Sequence, residues 1–488
     1  MGEFDVTVIG GGINGVSVAA EAASRGLRTL LIHSRDLASG ASAAPVTLAG
    51  THLQHLSALD YFQLNSMLEE LQRLKSAAPH LVDLYPVCRP DGTPLKEKGN
   101  GLIDRIFQGI RDRALAQLCN RQDPAAHSIA ARIKPARLIL ARAQQAANHG
   151  AELLPRHELV WAERGEEQWK LGIVPTGTDR PLTATSKLVI NCAGWRANSL
   201  LERILQVSTR CRATEEHRTQ FFFSLDEGTL PASTRDHVLK LQGPSEVPFY
   251  VYPVADNLFA FGPRKCDQAG YAECVDLLQQ FIDTWNLQCE GHGTPLTRDQ
   301  FIYKRKCQFA LIQDPCGSDD NPMAAPLLDL NNPGKQAVLL NVFGVDVVLS
   351  RRIASQALDV LQPFTGKKAN PEFALEKLPG AAIGCSSADA FQQKLQQQYP
   401  LLPAALLGRL SETYGENSLR ILGNAHQLND LGCTFSEDLY EAEVRYLAEQ
   451  EWASDADDVL LRRTLLGINA TDEMRNRLED WFATRAAG

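Results

Sequence analysis

The chain has 488 residues, 44% hydrophobic and 22% charged, with a net charge of −9. Two or three packed units are expected at this length, and the ordinary globular composition argues against disorder. A generally acidic surface disfavours nucleic acid, whose binding is driven by basic patches, and attachment to an anionic membrane surface.

The 11 cysteines include no C-x-x-C pair. No zinc or redox motif is therefore visible, no metal is expected, and reduced thiols of a cytoplasmic protein are the expectation. The amino terminus enters a strand at Phe4-Asp5-Val6 without a basic leader or cleavage site, so no signal peptide is expected. No apolar run is long enough to span a bilayer, which leaves peripheral contact as the only membrane mode.

Val6, Val8 and Ile9 read as a buried parallel strand. The strand stops at Gly10-Gly11-Gly12-Ile13-Asn14-Gly15. Val16 to Arg25 carries small residues at helical spacing, Gly26 ends that helix, and Leu27 to Ile32 is a second strand. Gly10, Gly12 and Gly15 stand in G-x-G-x-x-G spacing. Gly10 permits the tight turn, Gly12 lets backbone approach a pyrophosphate, and Gly15 lets helix and strand pack closely. The helix N-terminus then offers free N–H groups and a positive dipole end to phosphates. In this strand-turn-helix-strand context the spacing predicts a dinucleotide site. Such sites place Asp or Glu after the second strand to bind ribose hydroxyls. Here that place holds His33, followed by Ser34, with Asp36 past the strand end; an imidazole can still donate to or accept from a hydroxyl.

Helical patterns follow from about Asp60 to Ala78 and from Pro135 to His149, then strand-like segments to about Thr185. Leu188 to Trp195 reads as a buried strand ending in a glycine turn. Between 201 and 330, Gln220 to Leu225, Val247 to Val254 and Leu258 to Gly262 read as strands and Cys274 to Trp285 as a helix, which suits an antiparallel sheet with helical cover. Ala337 to Phe343 is another strand, and Gly344 opens a helical stretch to about Leu361. Asn370 to Ala388, with Pro371, Pro379, Gly380 and Gly384, reads as a linker. Beyond it Ser436 and Thr471 are candidate helix caps, with Leu439, Tyr446 and Leu447, and Met474, Leu478, Trp481 and Phe482, as apolar positions. The expected organisation is residues 1–200 and 331–370 as one domain, 201–330 as an inserted substrate domain, 371–388 as linker and 389–488 as an all-helical carboxyl-terminal domain.

The opening Asp5-Val6-Thr7-Val8-Ile9-Gly10-Gly11-Gly12-Ile13-Asn14-Gly15 resembles that of the FAD-dependent, quinone-linked glycerol-3-phosphate dehydrogenases. So do Arg35-Asp36-Leu37-Ala38-Ser39-Gly40, Ala78-Pro79-His80-Leu81, Pro135-Ala136-Arg137-Leu138, Asn191-Cys192-Ala193-Gly194 and Val342-Phe343-Gly344. The tail is similar at Tyr414 to Ser418, Leu422 to Ala425, Tyr440 to Glu443 and Asp457 to Thr464. The resemblance implies an α/β, two-dinucleotide-binding FAD fold with an inserted antiparallel substrate sheet and a helical cap. It implies non-covalent FAD contacted by Gly10, Gly12, Asn14, Gly15, His33, Ser34, Ala38, Ser42, Gly194, Trp195, Gly344 and Val345. It implies oxidation of glycerol 3-phosphate at C2, hydride transfer to flavin N5 and electron delivery to quinone at the inner membrane face. A homodimer is compatible with it. It also places His217 as an active-site histidine that could take the hydroxyl proton.

The family's substrate anchors are replaced. Thr47 stands for a lysine, Gly50-Thr51 for a histidine-glycine pair, and Gln54, Phe309 and Ala324 for arginines; Val345 and Asp346 stand for a glycine and a lysine. A phosphate dianion needs fixed cations, and without each charge-assisted hydrogen bond its binding weakens by about 1.5–3 kcal/mol. His52 and His55, in the altered loop, could face the flavin in place of His217, and the Lys304-Arg305-Lys306 cluster could substitute for the lost anchors. Three readings follow: a glycerol-3-phosphate dehydrogenase with relocated anchors, a flavin oxidoreductase acting on a non-phosphorylated alcohol or amine, or a non-catalytic FAD-binding partner protein.

Overall fold

The computed structural model describes residues 2–49, 61–95, 129–226, 228–231, 234–243, 247–255, 257–265, 271–289, 295–313, 327–344, 346–381, 385 and 388–487. His52, Gln54, His55, Ala324 and Val345 lie outside the described residues.

Strand β1 (Glu3–Ile9), helix α1 (Ile13–Ser24) and β2 (Thr29–His33) form the amino-terminal unit. The helix starts at Ile13 rather than Val16, because extended Gly12 is already its N-cap. The second strand starts at Thr29 rather than Leu27, whose N–H still closes onto Ala22 O at 3.2 Å. Val6, Val8, Leu30 and Leu31 are fully buried, as expected for parallel strands covered on both faces.

The chain continues through β3 (Thr47–Ala49), α2 (Tyr61–Ala77), β4 (Val82–Cys88), β5 (Ile129–Ile133) and α3 (Pro135–Asn148). Then come β6 (Glu152–Pro155), β7 (His157–Arg164), β8 (Trp169–Pro175) and β9 (Leu182–Asn191). Next are β10 (Arg212–Ser224), β11 (Val238–Leu241), β12 (Phe249–Ala255), β13 (Leu258–Lys265), α4 (Tyr271–Gln288) and β14 (Phe301–Gln313), followed by β15 (Leu327–Asn331), β16 (Val338–Phe343) and α5 (Ser350–Val360).

The first sheet runs β15-β16-β9-β1-β2-β6, with the β7-β8 hairpin attached through β9. Helix α1 packs on it between α3 and α5. The second sheet runs β14-β10-β13-β12-β11-β4-β5-β3. It therefore reaches back into residues before 201, while β15 belongs to the first sheet. It is also not purely antiparallel, because β11 meets β4 in parallel. On one face, Phe281 and Trp285 of α4 pack against Phe223, with ring centroids 5.5 and 5.8 Å apart.

The stretch read as a linker is packed. Phe373, Leu378 and Ala381 are buried, Leu378 N–H donates to Ala77 O at 2.9 Å, and Gly380 O accepts from Glu416 N–H at 2.8 Å. The carboxyl-terminal unit is helical, with α6 (Ala388–Gln398), α7 (Ala404–Tyr414), α8 (Glu441–Gln450) and α9 (Asp472–Ala487). It also contains a two-stranded ribbon, Thr434–Ser436 against Leu439–Tyr440, so it is not all-helical. Ser436 sits in that ribbon and does not cap α8, whose N-cap is Tyr440. Thr471 does accept the Met474 N–H, at 3.2 Å.

This unit is bolted to the first by buried charge. Arg137 on α3 holds Glu451 through hydrogen bonds of 2.5 and 2.8 Å, and its guanidinium lies 4.5 Å from the Tyr414 ring centroid. Among the described residues no helix is long and apolar enough to cross a membrane, and no cluster of His, Cys, Asp and Glu could hold a metal ion.

Candidate functional site

The carboxyl ends of β1, β2 and β9 open onto a cavity of about 540 Å³. Ligands of doubly wound sheets bind in such crevices. Gly10, Gly12, Asn14, His33, Ser34, Gly194 and Trp195 line it, together with Arg35, Arg196, Arg203, the start of β7 and Ala310 of β14.

Two glycines set the turn at its floor. Gly10 has φ +125°, and a Cβ there would lie 2.3 Å from Cys192 O; a Cβ on Gly15 would lie 1.8 Å from Gly10 O. Gly15 thus backs the turn without lining the cavity. Ala38 does likewise, donating its N–H to Gly11 O at 3.1 Å. Asn14 Nδ2 donates to Gly344 O at 2.6 Å and so ties the first turn to the late glycine. Ser42 lies in the short turn Ala41–Ala43, and Ala41 lines the cavity.

The Ala193-Gly194 turn is fixed from behind. Asn191 Oδ1 accepts the Ala193 N–H at 3.1 Å, and its Nδ2 donates to Asn341 Oδ1 at 2.9 Å. Asn341 Nδ2 donates in turn to Asp329 Oδ2 at 3.1 Å.

The donor set fits a dinucleotide diphosphate. Helix α1 presents its N-terminus with no side-chain cap and no acid in its first turn, so its N–H groups and dipole face the cavity. Asn14 Oδ1 is buried and without a hydrogen-bond partner among the described residues.

The ribose end departs from the usual arrangement. His33 Nε2 lies 3.2 Å from Ser39 Oγ. Burial, reinforced by the Arg35 and Arg196 charges, pushes its pKa down to about 4, so it is neutral at pH 7. Asp36 does not face the cavity. It is buried and held by Arg462 Nε at 2.5 Å and by Arg463, whose Nη2 is 2.8 Å from Oδ1. The lowered His33 pKa fixes a sign. Between its ordinary value of 6.5 and about 4, the unfolded state binds the proton and the native state does not. Stability is full above 6.5 and falls as pH drops through this window. The urea midpoint should decline across it, and less steeply in His33→Asn.

The structure does not bring His217 to the cavity. It sits on β10 with Nε2 3.3 Å from Glu215 Oε1. Glu215 pairs in register with Ala310, and its charge acts on Arg35. The basic cluster is split by strand alternation: Lys304 and Lys306 are exposed on the edge strand, while Arg305 is half-buried. Phe309 lies under the Arg218 guanidinium, 4.8 Å from its ring centroid. Asp346 accepts the Val348 and Leu349 N–H groups at 2.8 and 3.2 Å and so shapes the entry to α5, which starts at Ser350.

Sequence reasoning missed Gln220. It is fully buried, donates to Val46 O at 2.8 Å, and leaves Oε1 without a partner among the described residues. A lone glutamine in the apolar run of β10 was the available signal. Arg35, Arg196 and Arg203 were also missed, although Arg35 follows Ser34 and Arg196 follows Trp195.

Residues 5–289 match the family model described as FAD dependent oxidoreductase, and 375–485 the model for the C-terminal domain of alpha-glycerophosphate oxidase. The chain is 28% identical over 502 residues to the aerobic glycerol-3-phosphate dehydrogenase of Escherichia coli (strain K12), covering 98% of this chain and 97% of that one. It is 27% identical over 498 residues to the D-erythritol 1-phosphate dehydrogenase of Brucella abortus (strain 2308), with the same coverages. The fold is that of the glycerol-3-phosphate dehydrogenase from Bacillus halodurans, solved with FAD: TM-score 0.69, 17% identity, 99% of this chain and 94% of that one.

Proposed function

Because the chain belongs to the FAD dependent oxidoreductase family, we propose that it oxidises a secondary alcohol of a small polyol phosphate, with FAD as the redox cofactor. FAD supplies the hydride acceptor; the protein binds, orients and shields. The N–H groups of α1 hold the diphosphate. Gly10 and Gly15 let the backbone close on it. Neutral His33 and Ser34 meet the ribose, and the Gly194-Trp195 turn borders the same cavity. Gln220, on the second sheet beside Val46, fixes the loop that follows the cavity and so acts as a positioning residue. The co-occurrence, over nearly the whole chain, of this cavity with a tail shared with polyol-phosphate dehydrogenases carries the reading. The acceptor we propose is a quinone met peripherally at a membrane face.

A second reading has its own support. Phe309 and Asp346, where the family resemblance places cations, are built into the structure as the platform under Arg218 and the entry to α5. This favours a non-phosphorylated alcohol.

Anaerobic addition of glycerol 3-phosphate, D-erythritol 1-phosphate, glycerol and erythritol to the purified protein separates the readings. Loss of visible flavin absorbance with a phosphate ester is the expected result. Loss only with a free polyol transfers the assignment to the second reading. Full flavin content with no bleaching by any of the four overturns both in favour of a non-catalytic FAD-binding protein.

A further inference from the structure

The ribose end of the cavity carries more positive charge than a neutral diol requires. Arg35, beside His33, and Arg196 and Arg203 line the cavity, against one carboxylate, Glu158. His33 stands where an acid is expected after β2, and Asp36, three residues on, is engaged by Arg462 and Arg463. Arg35 Nε is buried and has no hydrogen-bond partner among the described residues. Glu215 is the acid whose charge favours Arg35, but it is shared with His217. Burial disfavours the charged form of Arg35, and the like charges of Arg196 and Arg462 add to it. An anion seated among these groups would relieve that repulsion. Arginine near the end of the second strand, with no acid there, is the arrangement by which dinucleotide sites accept a phosphate on the ribose 2′ oxygen.

We propose that the adenosine end of this cavity is built to receive a phosphate on the nucleoside ribose, so that adenine nucleotides bearing a 2′-phosphate bind there in competition with FAD. Arg35 makes the principal contact, Arg196 the second, and the Ser34 hydroxyl donates to the same group. The proposal rests on the cavity being the dinucleotide site. It adds a ligand class that the FAD assignment does not contain.

The test is competition on the full-length, FAD-loaded protein, read as the rise in flavin fluorescence on release. The probes are 5′-AMP, 5′-ADP and 2′,5′-ADP. The expected result is that 2′,5′-ADP displaces FAD at about tenfold lower concentration than 5′-AMP, the increment of a single charge-assisted contact. In Arg35→Gln that ratio should collapse towards one, and in the exposed variant Arg196→Gln it should shrink. Equal competition by 5′-AMP and 2′,5′-ADP in the wild type overturns the proposal. So does a ratio that survives in both variants. An advantage confined to 5′-ADP also overturns it, because the arginines would then serve the cofactor's own diphosphate. A colourless protein would be a failure of the FAD assignment instead; calorimetric titration with the same nucleotides would then decide the 2′-phosphate question by the same ratio.

Discussion

Gly15→Ala should yield a protein that cannot retain FAD through purification. The added methyl would stand 1.8 Å from Gly10 O, and the atom it meets is backbone, which no rotamer change can move. Relief requires α1 to slide away from β1. That shift would spoil the hydrogen bond from Asn14 to Gly344 at 2.6 Å and the aim of the N–H groups on which a diphosphate depends. Overpacking of this kind costs about 1–3 kcal/mol in a tolerant core and more where backbone must move, against a typical total stability of about 5–15 kcal/mol. The predicted signature has two parts: loss of visible flavin absorbance, and a thermal midpoint that added FAD no longer raises, whereas in the wild type ligand linkage raises it. Gly10→Ala should behave similarly, since it combines φ +125° with a 2.3 Å approach to Cys192 O. A yellow Gly15→Ala protein with normal FAD affinity would remove the physical basis for the cofactor site.

The amino-terminal unit was legible because each residue there obeys a local rule. A short apolar run, a glycine turn and small residues at helical spacing specify strand, turn and helix without long-range help. The strand-to-turn switch at Asn191 to Gly194 was legible for the same reason. The second sheet was not fully legible. Its strands β3, β4 and β5 come from before residue 201, and nothing local in Val82 to Cys88 announces that it pairs in parallel with Val238 and Leu239. The linker was misjudged because prolines and glycines punctuate both free and packed chain. Only the structure shows that Gly380 lies against Tyr414, a Cβ there meeting its carbonyl at 2.5 Å.

The candidate site divides along similar lines. The backbone-defined positions Gly10, Gly12 and Gly194 all line the cavity, because a glycine at a turn is legible from sequence as a steric requirement. Side-chain direction on a strand is less legible: Asn14, His33 and Trp195 line the cavity, but His217 does not. His217 and Gln220 share one strand, yet Gln220 reaches Val46 while His217 turns to Glu215. Asp36, expected past the strand end, has partners that no local reading names: Arg462 and Arg463 are far along the chain.

That pairing of Asp36 with the tail predicts a second large effect. Arg463→Met should destabilise the whole molecule by about 3 kcal/mol, the low end of the cost of breaking a buried ion pair, because Arg462 still faces both carboxylates. Arg463 is buried, as are Asp36 and Asp458, which it serves together with Arg462; its Nη2 also donates to Glu451 O at 2.6 Å. The Asp36 loop frames the ribose end, since Ala38 two residues on is bonded to Gly11. Weakened FAD retention should therefore accompany the loss of stability, and Arg463→Lys should recover part of it by restoring charge without the two-pronged geometry. The pH dependence adds an independent mark. Burial pushes the Asp458 carboxyl up, but Arg463, Arg462 and Arg156 outweigh it and hold it well below the usual carboxylate range. A carboxylate with a depressed native pKa contributes stability above its unfolded value and loses it as pH falls towards the native one. With Arg463 gone, the native pKa rises and that contribution shrinks, so acid unfolding should begin at higher pH in Arg463→Met than in the wild type. Urea unfolding at pH 7 and an acid titration followed by circular dichroism measure both effects. If stability and FAD retention were unchanged, the carboxyl-terminal domain would have no hold on the cofactor loop, and the buried charge network would be incidental to it.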